Sequence, residues 1–144
     1  MSTDRPKLVI PAVPDRADRE ILLSRLAEFE AEQAGPLDIK HLAILLKDEA
    51  GATIGGLWGV SLFRWLIVEL VFVPAHLRGQ GLGRDIMAEA ERIAIERGCI
   101  GIWLDTYDFQ APDFYESLGF VPFGAVTNQP PGHKRIFMQK RLAI

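Results

Sequence analysis

The residue types that could do chemistry are densest in Leu66–Arg84, LIVELVFVPAHLRGQGLGR. Residues 66–73 are mostly apolar and suit a buried strand, which Pro74 stops. Arg78-Gly79-Gln80-Gly81-Leu82-Gly83 follows, and a helical pattern begins at once. The first N–H groups of a helix lack internal partners and lie at the positive end of its dipole. Such a terminus holds phosphate well. Glycines let the backbone approach an anion with no Cβ in the way. Arg78 and Arg84 add charge, while Gly79, Gln80, Gly81, Leu82 and Gly83 supply N–H groups. The predicted chemistry is the holding of a phosphorylated ligand. The turn is not a Walker loop, because no Gly-Lys-Ser/Thr follows. A dinucleotide fingerprint cannot be placed on it either, and no βαβ frame precedes it. An ordinary glycine-rich strand-to-helix turn is the bland alternative.

Downstream residues favour the ligand. After Gly83, Ile86, Met87, Ala90, Ile93 and Ala94 recur at helical spacing up to Gly98, a residue suited to a left-handed cap. A strand is expected at Ile100–Thr106, with Trp103 and Leu104. Ala111-Pro112-Asp113 then opens another helix, since proline suits the first turn and acidic residues its N-terminal half. Gly119 closes it.

Two segments carry a family resemblance. Arg78-x-x-Gly81-x-Gly83 matches the Gln/Arg-x-x-Gly-x-Gly/Ala turn of the GCN5-related N-acetyltransferases (GNAT). Phe114-Tyr115-Glu116-Ser117-Leu118-Gly119-Phe120 resembles their Tyr-Glu-Lys-Leu-Gly-Phe segment. Asp105-Thr106, Phe109-Gln110-Ala111-Pro112 and Pro131-Gly132-His133 look like a bacterial subgroup of these enzymes. The resemblance implies acetyl-CoA as cosubstrate, with its pyrophosphate on the glycine turn and no metal. It implies main-chain hydrogen bonds from Leu70, Val71, Phe72 and Val73 to the pantetheine arm. A backbone N–H near Phe72 or Val73 would face the thioester carbonyl, and Ala111, Phe114 and Tyr115 would complete the cofactor site. The Tyr115 hydroxyl would lie near the thioester sulfur as general acid; the alternative is a core tyrosine. One departure stands out. Many members carry Asn seven residues before the tyrosine, where this chain has Asp108. A carboxylate there would repel a polyphosphate, so Asp108 is expected to point elsewhere.

Acetyl transfer to an amine needs a neutral nucleophile. An alkyl amine of pKa ~10.4 is neutral in only about one molecule in two thousand at pH 7, so a group accepting its proton helps. Glu69 is the leading candidate. Almost every neighbour is apolar, and a carboxylate buried among them would be a stronger base. The alternatives are pairing with an arginine or backbone groups, or a place in solvent. Asp105 suits either a cationic acceptor or a cap on the loop after its strand. His41, His76 and His133 show no metal-ligand spacing; His133 lies in the 127–134 loop that could border an acceptor site. Cys99, after a capping glycine, reads as a small buried residue. Trp58, Phe63 and Trp65 suit an acceptor pocket or a dimer face, and the bland alternative, which the sequence favours, is packing against the sheet.

Near the N-terminus, Asp15 is expected to cap a helix to about Ala34, with Ile21, Leu22, Leu26 and Phe29 as its apolar stripe and Gly35-Pro36 as its end. Strands are expected at His41–Lys47 and Thr53–Leu62. Gly55, Gly56 and Gly59 in the second imply a bulge or a close backbone contact. Val121–Val126 and Arg135–Lys140 look like an antiparallel pair. The order is helix, three antiparallel strands, helix, strand, helix, two strands. That predicts an α+β fold, a mixed, mostly antiparallel sheet with helices on both faces, as in the GNAT fold.

The 144 residues suit a single domain, 1–144, and no linker divides them. At 49% apolar, 24% charged and net charge −3, the composition argues against nucleic acid as the main partner. The lone Cys99 allows no internal disulfide and suits a reducing cytoplasm. The charged N-terminus does not read as a signal peptide, and no apolar run approaches membrane-spanning length. The expected enzyme moves acetyl from acetyl-CoA to a primary amine of a small molecule by direct transfer in a ternary complex. Apolar strand edges make a homodimer conceivable. The alternatives are a non-catalytic CoA-binding module, another acyl donor, or a hydroxyl, lysine or protein N-terminal acceptor.

Overall fold

The computed structural model describes residues 4–142. They fall into two compact units, one up to Leu37 and one from Asp38 onward. The first contains α1 (Arg16–Ala34). The Asp15 side chain accepts a 2.9 Å hydrogen bond from the Ala17 N–H, and the chain leaves the helix at Gly35 with φ +85°.

The second unit holds β1 (Lys40–Lys47), β2 (Thr53–Leu62), β3 (Trp65–Phe72), α2 (Leu82–Glu96), β4 (Gly101–Tyr107), α3 (Pro112–Ser117), β5 (Val121–Thr127) and β6 (Lys134–Arg141). A short 3-10 turn, Ala75–Leu77, lies between β3 and the glycine turn. The six strands form one sheet in the order β1-β2-β3-β4-β6-β5. All neighbours are antiparallel except β3 and β4. The expected α+β class and mixed sheet are therefore present. Trp65 begins β3, where it pairs with Leu62 across the hairpin and with Gly101.

One core holds the unit together. Leu57, Leu66, Val68, Ile102, Leu104 and Met138 from the sheet pack with Ile86, Met87, Ala90 and Ala94 of α2. Tyr115 of α3 and Phe120 join the same cluster. Arg97, at the end of α2, ties that helix to the sheet. Its guanidinium donates to the carbonyls of Lys40 (3.0 Å) and His41 (2.9 Å) and to Ser61 Oγ (3.0 Å). No helix among the described residues is long and apolar enough to cross a membrane.

Candidate functional site

The site begins with a failure of pairing. β3 and β4 run parallel and pair from Trp65↔Gly101 to Val68↔Leu104, and no further. Beyond that point each strand follows its outer neighbour: β3 stays with β2 through Phe72, and β4 stays with β6 through Tyr107. The sheet opens between them.

A bulge sits at the branch point. Trp58 faces Leu70 and Gly59 faces Val68, so Glu69 is the extra residue on β3. The β2 glycines allow this. A Cβ on Gly59 would stand 2.6 Å from the Ile67 carbonyl oxygen, and one on Gly55 would stand 2.5 Å from that of Phe72. The expected bulge and close contacts are both there.

The opening is a cleft of about 1060 Å³. Val68 to Val73 form one wall, Leu104 to Tyr107 the other, and the glycine turn and the start of α3 close the end. Of the residues expected from the sequence, Glu69, Leu70, Val71, Phe72, Val73, Arg78, Gly79, Gly81, Leu82, Gly83, Arg84, Ala111, Phe114 and Tyr115 all line it. Gln80 is exposed and does not.

The glycine turn has a backbone that other residues rarely adopt. Gly79 has φ +79° and Gly81, the N-cap of α2, φ +83°. No side chain caps α2, so the N–H groups of its first turn carry no side-chain cap bond. Gly83 serves packing instead, since a Cβ there would meet the Phe114 ring at 3.3 Å. The flanking arginines are anchored to the frame. Arg78 Nε donates to the Val73 carbonyl (3.0 Å), and Arg84 Nη2 donates to Ser117 Oγ (3.4 Å).

Tyr115 is buried, with its ring edge-on to Phe114 and Phe120 at centroid distances of 5.2 and 5.8 Å. Burial pushes its phenol above the usual tyrosine range, and the negative charge of Asp105 adds to the effect. The hydroxyl therefore keeps its proton at neutral pH, as a proton donor must.

Of the alternatives open for Glu69, the structure has the exposed one. The apolar run suggested burial, but the bulge turns Glu69 out, and the side chain is exposed in the open cleft. Asp108 is not among the residues that line the cleft. It accepts from the Lys134 N–H (3.1 Å) and lies 2.9 Å from His133 Nδ1. His133 packs edge-on against Phe109, which does line the cleft.

Sequence reasoning missed Arg135. Its Nε and Nη2 donate to the two oxygens of Asp105 at 2.7 and 2.9 Å, and both side chains line the cleft. The two residues stand 30 positions apart. Only the β4–β6 register, which places Arg135 opposite Tyr107, brings them together. Gln110 was also missed as a frame residue; its Oε1 accepts from the Tyr107 N–H (2.9 Å) and shapes the loop into α3. Among the described residues no group of three or more His, Cys, Asp or Glu is placed to hold a metal ion.

Comparison with known proteins shows what the chain is similar to. A family model described as "Acetyltransferase (GNAT) domain" matches residues 39–122. An acetyltransferase of Agrobacterium fabrum is 32% identical over 133 residues, covering 92% of this chain and 97% of its own. The blasticidin-S acetyltransferase of Streptomyces morookaense is 37% identical over 126 residues, 87% of this chain and 91% of its own. A crystal structure from Agrobacterium tumefaciens, assigned as an acetyltransferase, superposes with a TM-score of 0.90 at 31% identity, covering 95% of this chain and 100% of its own.

Proposed function

The chain belongs to the GNAT acetyltransferase family and is an acyl-transferring enzyme; from that premise we propose that it moves acetyl from acetyl-CoA to a primary amine of a small molecule. The observation that carries this reading is the cleft between β3 and β4. It joins a glycine turn with uncapped helix N–H groups to a buried, protonated tyrosine and an open carboxylate.

In this reading the pyrophosphate of acetyl-CoA rests on residues 78–84, and the pantetheine arm runs along β3. Past the bulge, the backbone of Leu70–Val73 bonds the arm, and an N–H near Phe72 or Val73 faces the thioester carbonyl. Preorganised donors of this kind contribute about 3–4 kcal/mol to a transition state. Glu69 accepts the proton of the attacking amine, directly or through a water. The amine nitrogen bonds to the acetyl carbon, the carbon–sulfur bond breaks, and the sulfur takes the Tyr115 proton. A coenzyme A thiol, with a pKa near that of cysteine (~8.5), leaves readily as thiolate. The phenol thus assists departure rather than enabling it. The donor and acceptor meet in one ternary complex, and residues 1–144 act as a single domain.

One relative is named a blasticidin-S acetyltransferase, which supports a small acceptor here. The test is thiol release from acetyl-CoA with a panel of amines. Release that depends on the amine supports transfer. Binding of acetyl-CoA without release by any amine would favour a non-catalytic CoA-binding module.

A further inference from the structure

Strand alternation sorts the cleft lining onto two faces of the sheet. On β4, Leu104 and Thr106 are buried, so Asp105 and Tyr107 project from the opposite face. On β6, Met138 is buried and Ile136 packs against the core, so Arg135 and Phe137 share the face of Asp105. The helix that starts at the glycine turn, α2, packs on the core face with Leu104 and Met138. The phosphate-holding turn and the Asp105–Arg135 pair therefore flank the gap from opposite sides. If the cofactor enters from the first, the pair belongs to the acceptor.

The pair has a definite polarity. Arg135 spends Nε and Nη2 on Asp105, which engages both carboxylate oxygens. Nη1 donates to no described residue. Arg135 is also the more exposed side chain of the two, 34% against 23%. Its carbon lies 5.5 Å from the Phe137 ring centroid, so the plane is held from a second side. What the pair offers a ligand is thus an oriented donor end, and such an end takes an oxygen anion. Glu69 offers the opposite charge from the β3 side of the same cleft.

We infer that Arg135, oriented by Asp105, holds a carboxylate of the acceptor, so that the acceptor carries both an amine and a carboxylate. This deepens the function proposed above and rests on it. Arg135 is then a specificity-determining residue and Asp105 its positioning residue.

The test is amine-dependent thiol release from acetyl-CoA with matched acceptors that differ only in the carboxylate. L-Lysine with cadaverine, L-ornithine with putrescine, and L-phenylalanine with phenethylamine are such pairs. The carboxylate-bearing member is expected to have the higher kcat/KM by about tenfold or more in at least one pair, as charge-assisted hydrogen bonds allow. Arg135→Gln should bring that ratio to within about threefold of unity, mainly through KM, and Arg135→Lys should restore part of it. The double variant Asp105→Asn/Arg135→Gln should lose the ratio equally, which separates lost recognition from the effect of a stranded carboxylate. Equal use of both members of every pair, or an unchanged ratio in Arg135→Gln, overturns the inference. Turnover of the decarboxylated amines alone overturns it and leaves amine acetylation standing. Failure of every amine while acetyl-CoA still binds overturns both.

Discussion

Gly59 lies so close to Ile67 that a Cβ would stand 2.6 Å from the Ile67 carbonyl oxygen, right beside the bulge that turns Glu69 into the cleft. A backbone carbonyl cannot swing aside as a side-chain tip can. Gly59→Ala should therefore force β2 and β3 apart and cost about 1–3 kcal/mol. Gly124→Ala is the control, since a Cβ there meets nothing within 4 Å; it should stay within about 0.5 kcal/mol of the parent. Urea unfolding of both variants checks this, and equal stabilities would remove the role assigned to Gly59.

Gly81 tests the glycine turn by a different route. A Cβ there meets nothing, but its φ of +83° disfavours a β-branched residue. Gly81→Val should rotate the first N–H groups of α2 and weaken acetyl-CoA binding by about tenfold or more. Near-normal affinity in a folded Gly81→Val variant would contradict the assignment of residues 78–84.

Tyr115→Phe removes only the hydroxyl and keeps the ring contacts with Phe114 and Phe120. It should lower kcat by about a hundredfold, the low end for general acid catalysis, because the leaving thiolate is already stable. Acetyl-CoA affinity should change little. Unchanged turnover would remove the acid role.

The raised Tyr115 ionisation also predicts a pH effect on stability. An unfolded tyrosine ionises near pH ~10, whereas the buried one holds its proton to higher pH. Above pH ~10 the folded state thus binds more protons than the unfolded state, and stability falls as pH rises. Below pH ~10 this contribution is fully present. Denaturant unfolding of the parent should become easier as pH rises above about 10, and Tyr115→Phe should weaken less. Parallel curves for the two proteins would show that Tyr115 does not supply the effect.

Local features were legible in the sequence. Asp15 caps α1, β2 spans the expected Thr53–Leu62, and the turn from Arg78 to Gly83 needs only neighbouring residues to define it. The β2 glycines also announced a bulge, because a missing Cβ is a local sign of a close contact. What the glycines could not tell is which β3 residue the bulge would eject. That depends on register between strands, and a shift of one residue reverses which side chains are buried. Glu69 was accordingly expected among apolar neighbours and stands exposed in the cleft. Arg135 was missed for the same reason: it meets Asp105 only because β6 lies beside β4, a non-consecutive pairing that periodicity does not encode. The 3-10 turn Ala75–Leu77 is too short to leave a periodic signature.

The most direct test of the central claim is a calorimetric titration of the protein with acetyl-CoA, with free CoA alongside. Binding of both at near-unit stoichiometry, with micromolar affinity lost in Gly81→Val, is the predicted result. No heat of binding from either ligand, with the protein folded, would contradict the assignment of the β3–β4 cleft as an acetyl-CoA site.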